Sequence, residues 1–178
     1  MNIILATQNR GKVEEFKRIF TDCPVKLSSI FDYGITLEPE ETGSTFSENA
    51  QIKLEYYLET LQKNKYYDSS QKNLLLAEDS GIEIKALNGE PGVLSARYGG
   101  EGLDSADRNN LILKKMKDVA PENRKARFVC CIKVAYIETD IVYEFIEYSE
   151  GIIMDDIYGS KGFGYDPIFK PLGYNVSM

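Results

Sequence analysis

The run LLLAEDSGIEIKALNGEPGVLSARYGG, residues 74–100, carries the first structural decision in this chain. Four apolar residues, Leu74, Leu75, Leu76 and Ala77, lead into two adjacent acids, Glu78 and Asp79. A second alternating run, residues 82–85, leads away from them. The apolar run predicts a short buried strand, and Gly81 predicts a sharp backbone turn just past the acids. Ligand sites of α/β folds lie at the carboxyl ends of strands, so the expectation puts Glu78 and Asp79 at such an end. Neighbouring carboxylates repel unless a cation or a shared proton relieves them. An acidic turn capping local structure is the plain alternative for the dipeptide, and the rest of the chain decides between the two.

Upstream, residues 2–6 (NIILA) predict another short buried strand, closed by Thr7, Gln8, Asn9, Arg10, Gly11 and Lys12. Val13, Phe16, Ile19 and Phe20 then share one helical face. A strand, a glycine-containing loop and a helix start with a lysine form a sensible anion cradle, because free N–H groups and the helix dipole both favour a phosphate. The P-loop pattern is not matched, since Val13 follows the lysine. Residues 25–30 predict a second strand, and residues 31–43 an irregular acidic loop with Glu38, Glu40 and Glu41. Thr45 with Glu48 makes a capping-box pattern for a second helix, whose core stripe is Ala50, Leu54, Tyr57, Leu58 and Leu61. Lys53 lies off that stripe, just after the acidic loop.

Downstream, Asn88-Gly89 and Pro91-Gly92 mark turns. Asp104 or Ser105 opens a third helix over residues 104–117. Residues 126–139 and 141–149 read as a hairpin about Thr139-Asp140, with residues 150–157 extending the sheet. Last comes a glycine-rich loop, residues 159–167, whose Phe163 and Tyr165 offer rings to a base or sugar and whose glycines allow close approach.

Composition narrows the classes. A chain of 178 residues with 43% hydrophobic and 28% charged side chains is an ordinary globular sequence, predicted to form a single domain over residues 1–178. Its net charge of −7 argues against nucleic-acid or anionic-membrane partners. No apolar stretch reaches the length of a membrane span and no signal peptide precedes the first strand, so the expected location is the cytoplasm. Cys23, Cys130 and Cys131 show no metal-ligand spacing, and the last two would face opposite sides of a strand. Histidine is absent, which removes Ser-His and Cys-His mechanisms and leaves carboxylates, lysines and a metal.

ATQNRGK at residues 6–12, EETGSTFSENA at 40–50, AEDSGIEIKALNGEPGVLSARYGG at 77–100 and GFGYDPIF at 162–169 occur in that order. Together they resemble the inosine triphosphate pyrophosphatase family, the dITP/XTP pyrophosphatases. The resemblance implies an α/β fold with a mixed central sheet flanked by helices, a deep nucleotide-binding cleft and a homodimer. It implies Mg²⁺-dependent hydrolysis of the purine nucleoside triphosphates ITP, dITP and XTP to the monophosphate and pyrophosphate. Asp79 matches the catalytic aspartate and a metal ligand, and Glu41, or its neighbour Glu40, the metal-binding glutamate. Thr7, Gln8, Asn9, Arg10, Gly11, Lys12 and Lys53 would hold the triphosphate, and Ser80 would accompany Asp79 at the substrate. Phe163, Gly164, Tyr165 and Asp166 would line the nucleoside pocket, with Phe163 stacking on the base. Arg97 could serve substrate, dimer interface or fold.

The family pattern continues with a lysine and a Ser-His-Arg segment that recognises the purine 6-oxo group, whereas this sequence stops at Met178. A shortened chain is the preferred reading and a divergent member the other. On either, selectivity and turnover are expected to fall, and a nucleotide-binding but catalytically impaired form is the alternative function. The related pyrophosphatases of modified nucleotides open with a Ser-Pro-Arg-Arg cluster that this chain lacks.

Overall fold

Alternation along the first strands decides which helix covers which face. In a computed structural model, describing residues 1–139, 141–159 and 162–178, β1 (Asn2–Leu5) pairs in parallel with β2 (Lys26–Ser29) and with β3 (Asn73–Ile84). Leu5 stands opposite Leu76, and Ile4 opposite Leu75. Because neighbouring strand residues face opposite sides, Ile4, Ala6, Leu75 and Ala77 join one apolar cluster, while Ile3, Leu5 and Leu76 join another. Leu54, Tyr57 and Leu61 of α2 (Phe46–Asn64) pack into the first, and Val13 of α1 (Arg10–Ile19) into the second, with Phe16 against it. Six strands make one mixed sheet in the order β2-β1-β3-β4-β5-β6, with β4 at Lys125–Tyr136, β5 at Val142–Ile153 and β6 at Phe169–Pro171. The mixed α/β architecture with flanking helices is the predicted one.

By internal contacts the chain divides into two compact units. One comprises Met1–Asp79 with Cys131–Ile146, the other Ser80–Cys130 with Glu147–Met178. The core of the second unit gathers Ile82 and Ile84 of β3, Ile112 of α3 (Ser105–Lys115), Met116, Ala126, Ile153, Ile168 and Phe169. Arg124 is buried beside α3, donating to the carbonyls of Met116 at 2.7 Å and Ile153 at 2.8 Å. At Met116 it joins the Val119 N–H, which donates to the same carbonyl at 3.1 Å. Asp104 caps α3 through Asp107, and Thr45 caps α2 through Glu48, both as capping boxes.

One expectation is corrected. The chain does not turn at Gly81: β3 runs unbroken through Ile84, so Glu78 and Asp79 sit inside a strand and not at its end. The physical reason is close packing. A Cβ at residue 81 would lie 2.3 Å from Ser95 Oγ and 2.7 Å from the Gly92 carbonyl, so glycine here admits the 3-10 segment Gly92–Arg97 against the strand. Ser95 Oγ accepts from the Ile82 N–H at 2.9 Å. The sheet extension past residue 149 stops at Ile153. Asp140, at the predicted hairpin tip, and Ser160 and Lys161, in the glycine-rich loop, lie outside the described residues.

Candidate active site

In the first unit β3 and the start of α2 bring three charged side chains together. Lys53 Nζ lies 2.7 Å from Glu41 Oε1, 2.9 Å from Asp79 Oδ1 and 3.0 Å from the Glu78 carbonyl, so all three ammonium donors have oxygen partners. The lysine is on α2, the glutamate on the loop before that helix, and the aspartate on β3. Burial leaves Asp79 only 6% exposed. That burial pushes its carboxyl above the ordinary value, against the pull of Lys53. At Lys53 burial opposes the charge, but Asp79 and Glu41 outweigh it and hold the ammonium above its usual value.

Sequence reasoning missed one member of this group. Asn49 is fully buried and lies one helical turn before Lys53, so both side chains reach the same carboxylate. Its Nδ2 donates to Asp79 Oδ2 at 3.3 Å, and its Oδ1 accepts the Gly43 N–H at 2.8 Å. The available signal was an amide beside Ala50, at the buried edge of an amphipathic helix, where an uncharged polar group needs partners.

At the end of β1, Asn9 caps α1. Its Oδ1 accepts the N–H groups of Gly11 at 2.9 Å and Lys12 at 3.2 Å, while its own N–H donates to Thr7 Oγ1 at 3.1 Å. Lys12 Nζ pairs with Glu78 Oε1. Gln8 Nε2 donates to the Ile35 carbonyl at 2.9 Å, and the exposed Arg10 lies 5.7 Å from the centre of the Phe31 ring. Asn9 therefore holds the Gly11 and Lys12 N–H groups, and a phosphate there would replace its side chain as acceptor.

Ser80 and residues 162–166 belong to the second unit. Phe163 is 46% exposed, whereas Tyr165 is 5% exposed and donates through its hydroxyl to the Ser95 carbonyl at 2.9 Å. Burial pushes the Tyr165 hydroxyl up to about 12. Asp166 Oδ2 accepts the Phe163 N–H at 2.9 Å, and Asn109 of α3 donates to the Gly164 carbonyl at 3.1 Å. Of these side chains, Phe163 is the one presented to solvent, while those of Tyr165 and Asp166 hold the loop in shape.

The oxygen donors fit a hard cation. Glu41 and Asp79 already converge on one positive charge, and Mg²⁺ is usually held by one or two carboxylates with waters and substrate phosphates. Among the described residues no three His, Cys, Asp or Glu side chains gather into a self-sufficient metal site.

The profile of the Ham1 family matches residues 3–178. The dITP/XTP pyrophosphatase of Listeria monocytogenes is 40% identical over 176 residues, covering 99% of this chain and 81% of that protein. That of Bacillus anthracis is 38% identical over 177 residues, covering 99% and 83%. Among solved structures, the Staphylococcus aureus Ham1 protein superposes with a TM-score of 0.78 at 36% identity, covering 100% of this chain and 85% of that one. With a match over nearly its whole length and a shared fold, the chain belongs to the Ham1 family.

Proposed function

We propose that this chain hydrolyses ITP, dITP and XTP to the nucleoside monophosphate and pyrophosphate, with Mg²⁺, and so clears deaminated purines from the nucleotide pool. Its relatives are pyrophosphatases by name, and the chain is by family a hydrolase of acid anhydrides. The observation that carries the reading is the Lys53 ammonium held between Glu41 and Asp79. It is a buried aspartate and a half-buried glutamate beside a cation that can be handed to a phosphate.

In this reading Asp79 orients a water and accepts its proton as the oxygen attacks the α-phosphorus. The bond from that phosphorus to the α–β bridging oxygen breaks, and pyrophosphate leaves with the electron pair. Lys53 and Lys12 neutralise phosphate charge as it shifts to the leaving group. The first turn of α1, with Thr7, Gln8, Asn9, Arg10 and Gly11, offers N–H groups to the triphosphate. Ser80 accompanies Asp79, and in the second unit the exposed Phe163 ring is offered to the base, with Gly164, Tyr165 and Asp166 shaping its loop. Held by Glu41 and Asp79, Mg²⁺ would supply Lewis-acid stabilisation of the phosphoryl oxygens.

A homodimer is part of the proposal. It is supported by β5, along which Val142, Tyr143, Phe145, Ile146 and Tyr148 are exposed on both faces of the strand. Among the described residues no helix is long and apolar enough to cross a membrane, and a cytoplasmic location suits a nucleotide-pool enzyme.

The test is pyrophosphate release from inosine, xanthosine, adenosine and guanosine triphosphates with and without Mg²⁺. Asp79→Asn should lower release by about 1,000-fold, the range for losing a general base. Nucleotide binding without release would mean a binding protein, and release unchanged in Asp79→Asn would remove Asp79 from the mechanism.

A further inference from the structure

Asn49 has two jobs in one buried amide. Its acceptor end fixes Gly43, two residues from Glu41, and its donor end fixes the Asp79 oxygen that Lys53 does not hold. The amide is therefore a spacer between the acidic loop and β3. Glycine at residue 43 is what lets the loop approach, since a Cβ there would lie 2.6 Å from Asn49 Oδ1 and 2.9 Å from its backbone nitrogen. The Glu48 carboxylate that boxes the start of α2 also pins the same loop one residue later, accepting the Ser44 N–H at 2.7 Å. Glu41 thus meets the ammonium that Asp79 also holds from a loop anchored on its helix side by Asn49 and Glu48.

We propose that Asn49 is a positioning residue that sets the separation of Glu41 and Asp79, and thereby the affinity of the site for a divalent cation. The proposal rests on the reading of Glu41 and Asp79 as the metal pair. An amide suits the task better than a carboxylate or a hydroxyl. Unlike a carboxylate it donates as well as accepts and adds no charge beside two acids, and unlike a hydroxyl it places acceptor and donor on two separate atoms that span loop and strand. Asn49 neither transfers a proton nor touches the reacting phosphorus.

The experiment titrates Mn²⁺, without nucleotide, into wild-type protein, Asp79→Asn, Asn49→Ala and Gly43→Ala. Binding is followed by the loss of the free-ion electron paramagnetic resonance signal, and folding by circular dichroism. Amide hydrogen exchange is read over residues 40–45. Both Asn49→Ala and Gly43→Ala should weaken Mn²⁺ binding about tenfold or more and speed exchange at the loop. For each, excess Mn²⁺ should restore kcat to within a few-fold of wild type, as expected when a ligand set is loosened while the reacting groups remain. Gly43→Ala breaks the same tie without changing the Asn49 side chain, so it carries the test if Asn49→Ala fails to fold. Wild-type Mn²⁺ binding that disappears in Asp79→Asn but is undiminished in Asn49→Ala and Gly43→Ala would overturn the positioning role alone. Absence of binding in the wild type, or binding that survives Asp79→Asn, would overturn the metal reading and this inference with it.

Discussion

Replacing Lys53 with methionine tests the electrostatics of the site most directly. The ammonium stands 2.7 Å from a Glu41 oxygen and 2.9 Å from an Asp79 oxygen, so those oxygens are at most 5.6 Å apart, the sum of the two distances. With the cation gone, two carboxylates at that separation repel by about 3 kcal/mol, taking an effective dielectric constant of roughly 20. The metal-free protein should therefore lose stability of that order, a fall of about 6–12 °C in Tm for a chain of this size. A divalent cation would no longer compete with the lysine and would relieve the repulsion. Its binding should tighten by up to about 100-fold, since each 1.4 kcal/mol is a factor of ten. Turnover should fall, because the same lysine is the proposed phosphate ligand. Thermal melts with and without Mg²⁺, together with isothermal titration, read both signs in one preparation. A Lys53→Met protein that melts like the wild type, or that binds Mg²⁺ more weakly, would refute the picture of the lysine as the resident cation of the site.

Other outcomes follow from the packing. Gly81→Ala should destabilise the protein by about 1–3 kcal/mol, the usual cost of overpacking, because the new methyl group meets Ser95 and the Gly92 carbonyl; a denaturant midpoint unchanged from wild type would contradict this. Arg124→Met should cost about 2 kcal/mol in chemical denaturation by leaving the buried Ile153 carbonyl without its Arg124 donor and the Met116 carbonyl with the Val119 N–H alone, and Arg124→Lys should recover little because an ammonium lacks the planar fork. Tyr165 gives a pH signature. Its folded-state value is raised to about 12 from an unfolded value near 10, so its contribution is complete below about 10 and is lost as pH rises towards 12. The Tyr165→Phe protein should show a flatter loss of stability than the wild type across that window in pH-dependent unfolding.

Much of the strand and helix pattern was legible because apolar period and capping chemistry are local. Residues 2–6 form a short apolar run, Thr45 and Glu48 box the start of α2, and Asp104 opens α3, each signal lying within a few residues. The Gly81 turn failed for the opposite reason. A glycine permits a turn but equally permits a close neighbour, and only Ser95, brought in from further along the chain, distinguishes the two. Tyr165 offered an aromatic ring to a ligand in sequence, yet its hydroxyl is spent on the Ser95 carbonyl inside the second unit.

The sequence by itself determined the family and the α/β class, and it named the acids and lysines that the proposed chemistry uses. Tertiary structure decided which acid meets which lysine. Lys12 went to Glu78 and Lys53 to the pair Glu41 and Asp79, although Glu78 and Asp79 are adjacent in sequence. The physical reason is the two-residue period of a strand, which sends neighbouring side chains to opposite faces. On one face lies α1 with Lys12, and on the other α2 with Lys53 and Asn49, and no linear spacing records that choice.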